Sequence, residues 1–171
     1  MAKIMQAALQ YPVFREIINS SSYTLPTDNK RKEPLTISQR HQMVQPWNSF
    51  HYDGIIGGKT GFVNESGTTL VTSAQRDGMT LITVVLNSPG TNSYVDTTAL
   101  LDFGFKNFKL TNVSENDTRF ENKSTFTNNV DSIFKTKLHR LSLSKDAVVV
   151  LPKDANFADT TSTITLNEDS S

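Results

Sequence analysis

The spacing of apolar positions predicts two short helices at the start of the chain. Between residues 1 and 10 these positions recur every three or four residues, as on one helix face: Met1, Ile4, Met5, Ala8 and Leu9. Pro12 suits the first turn of a second helix, whose apolar positions are Val13, Phe14, Ile17 and Ile18. Residues 20–46 are polar and contain three prolines, so they predict a loop, in which the pattern leaves residues 36–44 open between a short strand and a helix.

Further along the chain, β-branched and apolar runs predict an antiparallel sheet. The three predicted strands lie near Gly57–Val63, Thr68–Gln75 and Met79–Asn87. Between the second and third strands, Asp77-Gly78 is a dipeptide typical of tight hairpin turns. Three successive apolar residues at positions 84–86 indicate that the third strand is buried on both faces. The aromatic residues before the first strand are predicted to pack beneath it rather than line a site: Trp47, Phe50 and Tyr52.

A helix over residues 93–108 is predicted to cover one face of this sheet. Ser93 and Asp96 have the spacing of a capping box, and the helix carries a broad apolar face: Val95, Ala99, Leu100, Leu101 and Phe103. The other face needs a second helical layer, which we expect from a part of the protein ahead of Met1. Residues 111–130 are rich in Asn, Ser and Thr and predict a connector. Short strands are predicted beyond it, at residues 132–134, 138–143, 147–151 and 163–166.

Composition excludes several classes of function. Lys plus Arg equals Asp plus Glu at 17 each, so no basic surface for nucleic acid is expected. The absence of cysteine excludes disulfides and thiol catalysis, and the three histidines lack metal-ligand spacing, so no metal or cofactor is predicted. No apolar run approaches the length of a membrane span and no signal peptide is recognisable, so this chain is predicted to carry no membrane anchor.

The candidate chemistry lies between Asp53 and Gly67, in the stretch DGIIGGKTGFVNESG. Its centre, Lys59-Thr60-Gly61, places a lysine and a hydroxyl among glycines, which allow a ligand to approach closely. A phosphate-binding loop requires G-x-x-x-x-G-K-[ST] between a strand and a helix. Here the first glycine position is occupied by Asp53, and strands follow instead of a helix, so we reject that interpretation. The other chemistry that uses K-T-G places it on a sheet strand beside a nucleophilic serine.

Several separated segments resemble one family in the family's own order. The segment DGIIGGKTGFVNESGTTLVTSAQRDGMTLITVVL, then ALLDFGFKNF, is similar to the later part of the serine D-alanyl-D-alanine carboxypeptidases, the low-molecular-weight penicillin-binding proteins of peptidase family S11. MAKIMQAALQYPVFREI and SYTLPTDNKRKEP also resemble that family. The resemblance implies an α+β fold, an antiparallel sheet with packed helices as in penicillin-binding proteins and β-lactamases. It further implies that residues 1–110 are the C-terminal part of the catalytic domain, 111–130 a connector, and 131–171 the start of an incomplete small β-rich domain.

The resemblance also implies a reaction and a set of site residues. The family removes the terminal D-alanine from peptidoglycan stem peptides ending in D-Ala-D-Ala, through a serine acyl-enzyme, and complete members bind β-lactams. Its location is extracytoplasmic, at the cell envelope. Lys59 would supply positive charge for the peptide carboxylate and for proton transfer, and Thr60 would hydrogen-bond that carboxylate. Gly61 completes the catalytic tripeptide, and the Phe62 N–H would form half of an oxyanion hole. Arg40 lies where some members carry a basic residue near the substrate carboxylate.

Two further family motifs are expected ahead of K-T-G: S-x-x-K, with the nucleophile and its base, and S-x-N. Here S-x-x-K occurs at Ser132–Lys135 and Ser142–Lys145, and S-x-N at Ser114–Asn116, all after K-T-G. We interpret these as chance matches and the chain as part of a carboxypeptidase that lacks the N-terminal half, is inactive alone and exposes apolar faces. The alternative is a non-catalytic remnant or envelope-binding module that keeps only the substrate-binding strand.

Overall fold

The structure is a computed structural model that describes residues 1–117, 144 and 146–161. The chain divides into two units, residues 1–107 and 108–171. The first contains α1 (Ala2–Ala8), α2 (Pro12–Asn19), β1 (Ser22–Leu25), β2 (Leu35–Ser38), a 3-10 turn (Gln42–Val44), β3 (Ile55–Val63), β4 (Gly67–Arg76), β5 (Met79–Ser88) and α3 (Asn92–Asn107). The second contains β6 (Phe108–Asn112), α4 (Val113–Asn116), β7 (Val148–Pro152) and a 3-10 turn (Phe157–Asp159).

The central sheet is antiparallel and has the strand order β3-β4-β5. Lys59 pairs with Val71, and Val71 pairs in turn with Val84 of β5. Asp77 and Gly78, which join β4 to β5, both have positive φ angles, at 49° and 77°, as a type I′ hairpin turn requires. The three predicted strands and the predicted helix are therefore confirmed, as is the α+β class with helices on an antiparallel sheet.

Each face of the sheet has its own apolar core. On one face α3 and the segment before β3 enclose a cluster of Met43, Tyr52, Leu70, Ala74, Val85, Tyr94 and Leu101. On the other face α1 and α2 contribute to a cluster of Met5, Leu9, Ile18 and Val71. This corrects our expectation that the second helical layer must come from outside the chain. The chain's own first two helices supply it, because their buried positions meet the face of β4 that carries Val71.

The coverage of the sheet is incomplete at its ends. Val85 is buried, but Leu86 is 65% exposed, so β5 is not buried on both faces along its length as predicted. Apolar side chains also remain exposed on the outer sides of the helices: Met1, Ile4, Tyr11, Val13, Ile17, Val95, Leu100 and Phe103. The last three belong to the face of α3 that was predicted to cover the sheet, so that prediction is wrong except at Leu101. The buried side of α3 is formed instead by Ser93, Tyr94, Thr97, Leu101 and Gly104. The prediction of exposed apolar surface on the first helix therefore holds for its outer side, whereas Met5 and Leu9 are buried.

The segment predicted as a loop contains a hairpin, which corrects the sequence interpretation for β1. Residues 36–44, left open between strand and helix, hold both the end of β2 and the 3-10 turn. β1 pairs with β2 in an antiparallel register with Tyr23 opposite Ile37. On the polar face, the hydroxyls of Thr24 and Thr36 lie 2.9 Å apart and share a hydrogen bond. Alternating apolar and hydroxyl residues form both strands, a period-2 signal that the surrounding polar residues and prolines concealed.

Two local expectations near α3 and β3 are wrong. Ser93 lies inside α3 rather than at its cap, and its hydroxyl donates to the Gly90 carbonyl at 3.3 Å. Asp96 instead accepts a hydrogen bond of 2.7 Å from Ser88 on β5, so it ties the helix to the sheet. Among the three aromatic residues before β3, Phe50 and Tyr52 pack in the core as predicted, but Trp47 is 71% exposed.

A polar cluster fixes the start of β3. The Tyr52 hydroxyl donates to Asp102 on α3 at 2.8 Å, and burial together with this hydrogen bond raises the pKa of Tyr52 to about 12. The Arg76 guanidinium lies 4.3 Å above the Tyr52 ring, and its Nε donates to the Asp53 carbonyl at 3.1 Å. The turn before β3 is thereby tied to both β4 and α3.

In the second unit, β6 and β7 form an antiparallel pair. The β7 strand matches the strand predicted at residues 147–151, whereas β6 and α4 give residues 111–116 regular structure where a connector was predicted. The predicted strands at 132–134, 138–143 and 163–166 lie outside the described residues, and the predicted domain boundaries at 110 and 130 stay predictions. In the described parts of the chain, no helix combines the length and the apolar character needed to cross a membrane.

Candidate functional site

The K-T-G tripeptide lies on an edge strand. Within the described sheet β3 pairs with β4 on one side only, so its other edge is free. Lys59 is exposed, Thr60 and Gly61 are half-buried, and Phe62 is 68% exposed. The four residues therefore follow one another along an edge that has unpaired backbone groups and can accept another extended chain.

Two glycines before the tripeptide determine how closely the rest of the fold approaches β3. Gly57 has φ +139°, and a Cβ at this position would clash with the Ile18 carbonyl at the end of α2. At Gly58 a Cβ would clash with the Val71 carbonyl and lie 2.8 Å from His41 Nε2. From the sequence, the flanking glycines are predicted to admit a ligand. These two instead admit α2 and His41, which hold β3 from opposite faces directly before Lys59.

The end of α2 is also tied to β3 by hydrogen bonds. The Asn19 side-chain amide donates to the carbonyls of Ile55 and Ile56, at 3.3 and 3.1 Å. These bonds span the bulge between Ile55 and Gly57, where the strand cannot pair regularly with β4. The position of Lys59 therefore depends on α2 as well as on the sheet.

His41 is the one buried histidine of the described residues. Its Nε2 shares a hydrogen bond of 2.8 Å with Thr72 Oγ1, and its ring meets that of Tyr94 edge-on at 6.0 Å. Burial, with a smaller contribution from the positive charge of Lys59, lowers the pKa of His41 to about 4. The sequence indicated a structural role for a lone histidine but gave no signal that this one lies beneath the K-T-G strand.

The structure brings four of the five candidate site residues together. The Lys59 ammonium donates to the neighbouring Thr60 carbonyl at 2.5 Å, so its charge lies along the strand edge. Gly61 and Phe62 continue the same strand. Arg40 is exposed and precedes His41; its carbonyl accepts a hydrogen bond of 3.3 Å from the Tyr94 hydroxyl, which ties its backbone to α3. Its guanidinium makes no described contact with β3, so its role stays a prediction.

The remaining sequence matches all fall in the second unit of the chain. Ser132–Lys135 and Ser142–Lys145 fall on residues that the structure leaves undescribed, apart from Ser144. Ser114–Asn116 lies in α4, a helix of the second unit. Over the described part of the chain, no group of three or more histidine, aspartate or glutamate residues could hold a metal ion.

Comparison with known proteins gives this strand its context. The model of the peptidase S11 family, described as D-alanyl-D-alanine carboxypeptidase, matches residues 1–90, which include α1, α2, the whole central sheet and K-T-G. The chain belongs to this family. The K-T-G tripeptide therefore lies within the region that the family model matches. As the resemblance implied, it is on a strand, β3, and precedes the β4–β5 hairpin.

Individual relatives agree with the family assignment. The chain is 37% identical over 106 residues to the D-alanyl-D-alanine carboxypeptidase DacB2 of Mycobacterium tuberculosis, covering 60% of this chain and 34% of the relative. A solved D-alanyl-D-alanine carboxypeptidase from M. tuberculosis is similar with a TM-score of 0.51 and 30% identity, over 60% of this chain and 38% of that one. The solved Streptomyces K15 DD-transpeptidase is similar with a TM-score of 0.54 and 29% identity, over 61% of this chain and 40% of that one. The chain thus spans about a third of the curated relative, and the predicted penicillin-binding-protein type of fold is confirmed.

The depressed pKa of His41 makes stability depend on pH. Unfolded histidine has a pKa near 6.5, so between about pH 6.5 and 4 the unfolded S11 chain binds more protons than the folded one, and stability falls as the pH falls. From pH 7 to pH 5 we expect a loss of about 2 kcal/mol from this group. Urea unfolding across this pH range should show the loss of stability in the wild type. In His41→Asn the free energy of unfolding should depend less steeply on pH. His51→Asn, which removes an exposed imidazole, is the control; an identical slope in all three proteins would contradict the assignment.

Proposed function

We propose that this chain supplies the substrate-binding strand of a serine D-Ala-D-Ala carboxypeptidase that acts on peptidoglycan stem peptides at the extracytoplasmic face of the cell envelope. The observation that carries the proposal is the position of K-T-G, on the free edge of an antiparallel sheet inside the region matched by the S11 family. The β-lactams that complete members bind are the second expected class of ligand.

In this proposal the stem peptide pairs with β3 as an added strand. The edge groups of Gly61 to Val63 supply backbone hydrogen bonds to an extended peptide. The terminal carboxylate meets the Lys59 ammonium and the Thr60 hydroxyl, and the hydrogen bond from the ammonium is charge-assisted. The ammonium already reaches the Thr60 carbonyl, so a bound carboxylate exchanges that contact for a stronger one. Arg40, exposed on the segment behind β3, would add long-range attraction for the anionic peptide end.

The proposed chemistry is acyl transfer. A serine hydroxyl attacks the carbonyl between the two D-alanines, the terminal D-alanine leaves with a proton, and water then hydrolyses the acyl-enzyme. Negative charge develops on the attacked carbonyl oxygen, and the Phe62 N–H at the strand edge provides one of the two donors that stabilise it. The nucleophile and its lysine base belong to an S-x-x-K motif ahead of K-T-G, whereas both matches here follow it.

Peptide binding tests the proposal without needing turnover. Titration of N-acetyl-D-Ala-D-Ala into the ¹⁵N-labelled chain should shift the amide signals of Lys59 to Val63. Lys59→Ala should weaken binding about tenfold or more, because a hydrogen bond to a charged group contributes about 1.5–3 kcal/mol. Lys106→Ala, an exposed lysine in the last turn of α3, should bind like the wild type, and the C-terminal amide of the peptide should bind weakly. Shifts elsewhere, or full binding by Lys59→Ala, would overturn the proposed site.

The alternative, an envelope-binding module without chemistry, makes the same binding prediction. The coding sequence ahead of Met1 separates the two. An S-x-x-K motif followed by S-x-N in that sequence supports the enzyme, and a native start at Met1 with neither motif supports the binding module.

A further inference from the structure

The imidazole of His41 is a buried titratable group that the proposed chemistry does not use. Three elements enclose it: β4 through Thr72, α3 through the Tyr94 ring, and β3 through Gly58. The side chain is fully buried, and its Nδ1 has no hydrogen-bond partner among the described residues. Burying a polar ring with an unpaired nitrogen costs free energy that an aliphatic side chain would not. A histidine at this buried position therefore indicates a role beyond filling the core.

We propose that His41 is the positioning residue of the K-T-G strand: its neutral imidazole, seated beneath Gly58 and bonded to Thr72, sets where Lys59 and Thr60 lie at the sheet edge. The inference rests on the proposed function, because it concerns the geometry of the proposed carboxylate site. It adds a residue from behind the strand, which never touches the peptide and acts through Gly58.

The steric part of the argument follows from the two glycines. An edge strand is hydrogen-bonded to a neighbour on one side only. Its position perpendicular to the sheet therefore depends on the residues that pack on its two faces. Ile18 contacts Gly57 from one face and His41 contacts Gly58 from the other, directly before Lys59. A longer side chain at position 41 would lift the strand, and a shorter one would leave a cavity into which it could settle.

The electrostatic part links the ring to the proposed site. The groups that contact the ring, the Thr72 hydroxyl and the Tyr94 ring, carry no charge at neutral pH. Among the described residues, the charged group that shifts the pKa of His41 is Lys59, whose charge lowers it. Linkage is reciprocal, so a carboxylate bound to Lys59 should raise the pKa of His41 by offsetting that charge.

The test uses the whole chain and begins without ligand. In NMR spectra, His41→Leu should displace the amide signals of Lys59 to Phe62 more than those of the distant β4–β5 turn, and His41→Asn, which can still bond Thr72, should restore part of the shift. Lys59→Met should raise the pKa of His41, followed through its ring protons, whereas Lys106→Met should leave it unchanged. A histidine that only filled the core would leave the amide signals of Lys59 to Phe62 no more displaced than those of the β4–β5 turn.

The outcomes separate this inference from the proposed function. The positioning role would be overturned if the amide signals of Lys59 to Phe62 were unchanged in both His41 variants. It would also be overturned if Lys59→Met left the pKa of His41 unchanged. If His41→Leu fails to fold, the Asn variant and the Lys59→Met titration still decide. A strand that responds to His41 but binds no N-acetyl-D-Ala-D-Ala would keep the inference and refute the peptide site. Binding that raises the pKa of His41 supports both.

Discussion

The 171-residue chain is expected to remain unlabelled by a fluorescent penicillin and to release no D-alanine from a D-Ala-D-Ala peptide. The proposed reaction needs a serine nucleophile, a lysine base and both halves of an oxyanion hole, and β3 can supply only one donor and the carboxylate contacts. In a serine hydrolase, removal of the nucleophile costs about a millionfold in turnover. Binding by Lys59 and Thr60 therefore leaves no measurable covalent chemistry.

A longer protein that carries S-x-x-K and S-x-N ahead of residue 1 should gain both activities. In that protein Lys59→Ala should lower the rate of penicillin acylation by about 100-fold or more, the effect expected when a preorganised electrostatic contact is removed. Lys106→Ala should acylate at the wild-type rate. Gel fluorescence and D-alanine release measure the two activities. Labelling of the 171-residue chain, mapped by mass spectrometry to Ser132 or Ser142, would contradict both the chance-match interpretation and the requirement for an upstream motif.

The parts of the fold that the sequence predicted depend on local signals. The strands β3 to β5 appear as apolar runs, and Asp77-Gly78 sets their turn through backbone angles that its own residues determine. The four consecutive site residues, Lys59 to Phe62, follow directly from the strand, because a strand places its residues along one edge. The existence of helix α3 follows from the sequence, but its packing side does not: of the predicted apolar face only Leu101 is buried, and Val95, Leu100 and Phe103 are exposed.

What the sequence did not predict depends on contacts between distant segments. His41 lies beneath Gly58, seventeen positions later in the chain, and no local pattern joins them. Apolar stripes showed that α1 and α2 have a buried side, but not that this side covers the central sheet. Asp96 was assigned to a helix cap by spacing, yet the nearby Ser88 hydroxyl competes for it across the turn. In each case tertiary packing selected one of several locally acceptable partners.

The position of Gly58 gives the largest stability prediction. Gly58→Ala should destabilise the fold by about 3 kcal/mol or more, at the upper end for overpacked sites. The added methyl group would clash with the Val71 carbonyl and approach His41 Nε2 at 2.8 Å. A carbonyl of a paired strand cannot withdraw without breaking the β3–β4 ladder, so the strain falls on the backbone rather than on a rotating side chain.

Gly61→Ala is the matched control on the same strand. There a methyl group would meet the Thr69 Oγ1 at 2.5 Å, a side-chain atom that can rotate away, so the cost should stay within about 1 kcal/mol. Urea unfolding followed by circular dichroism measures both. The double variant His41→Ala with Gly58→Ala should recover little, because the clash with the Val71 carbonyl remains. Equal destabilisation by Gly58→Ala and Gly61→Ala, or full recovery in the double variant, would show that Gly58 is not constrained by the β4 backbone, and that β3 can shift its height to accommodate a side chain.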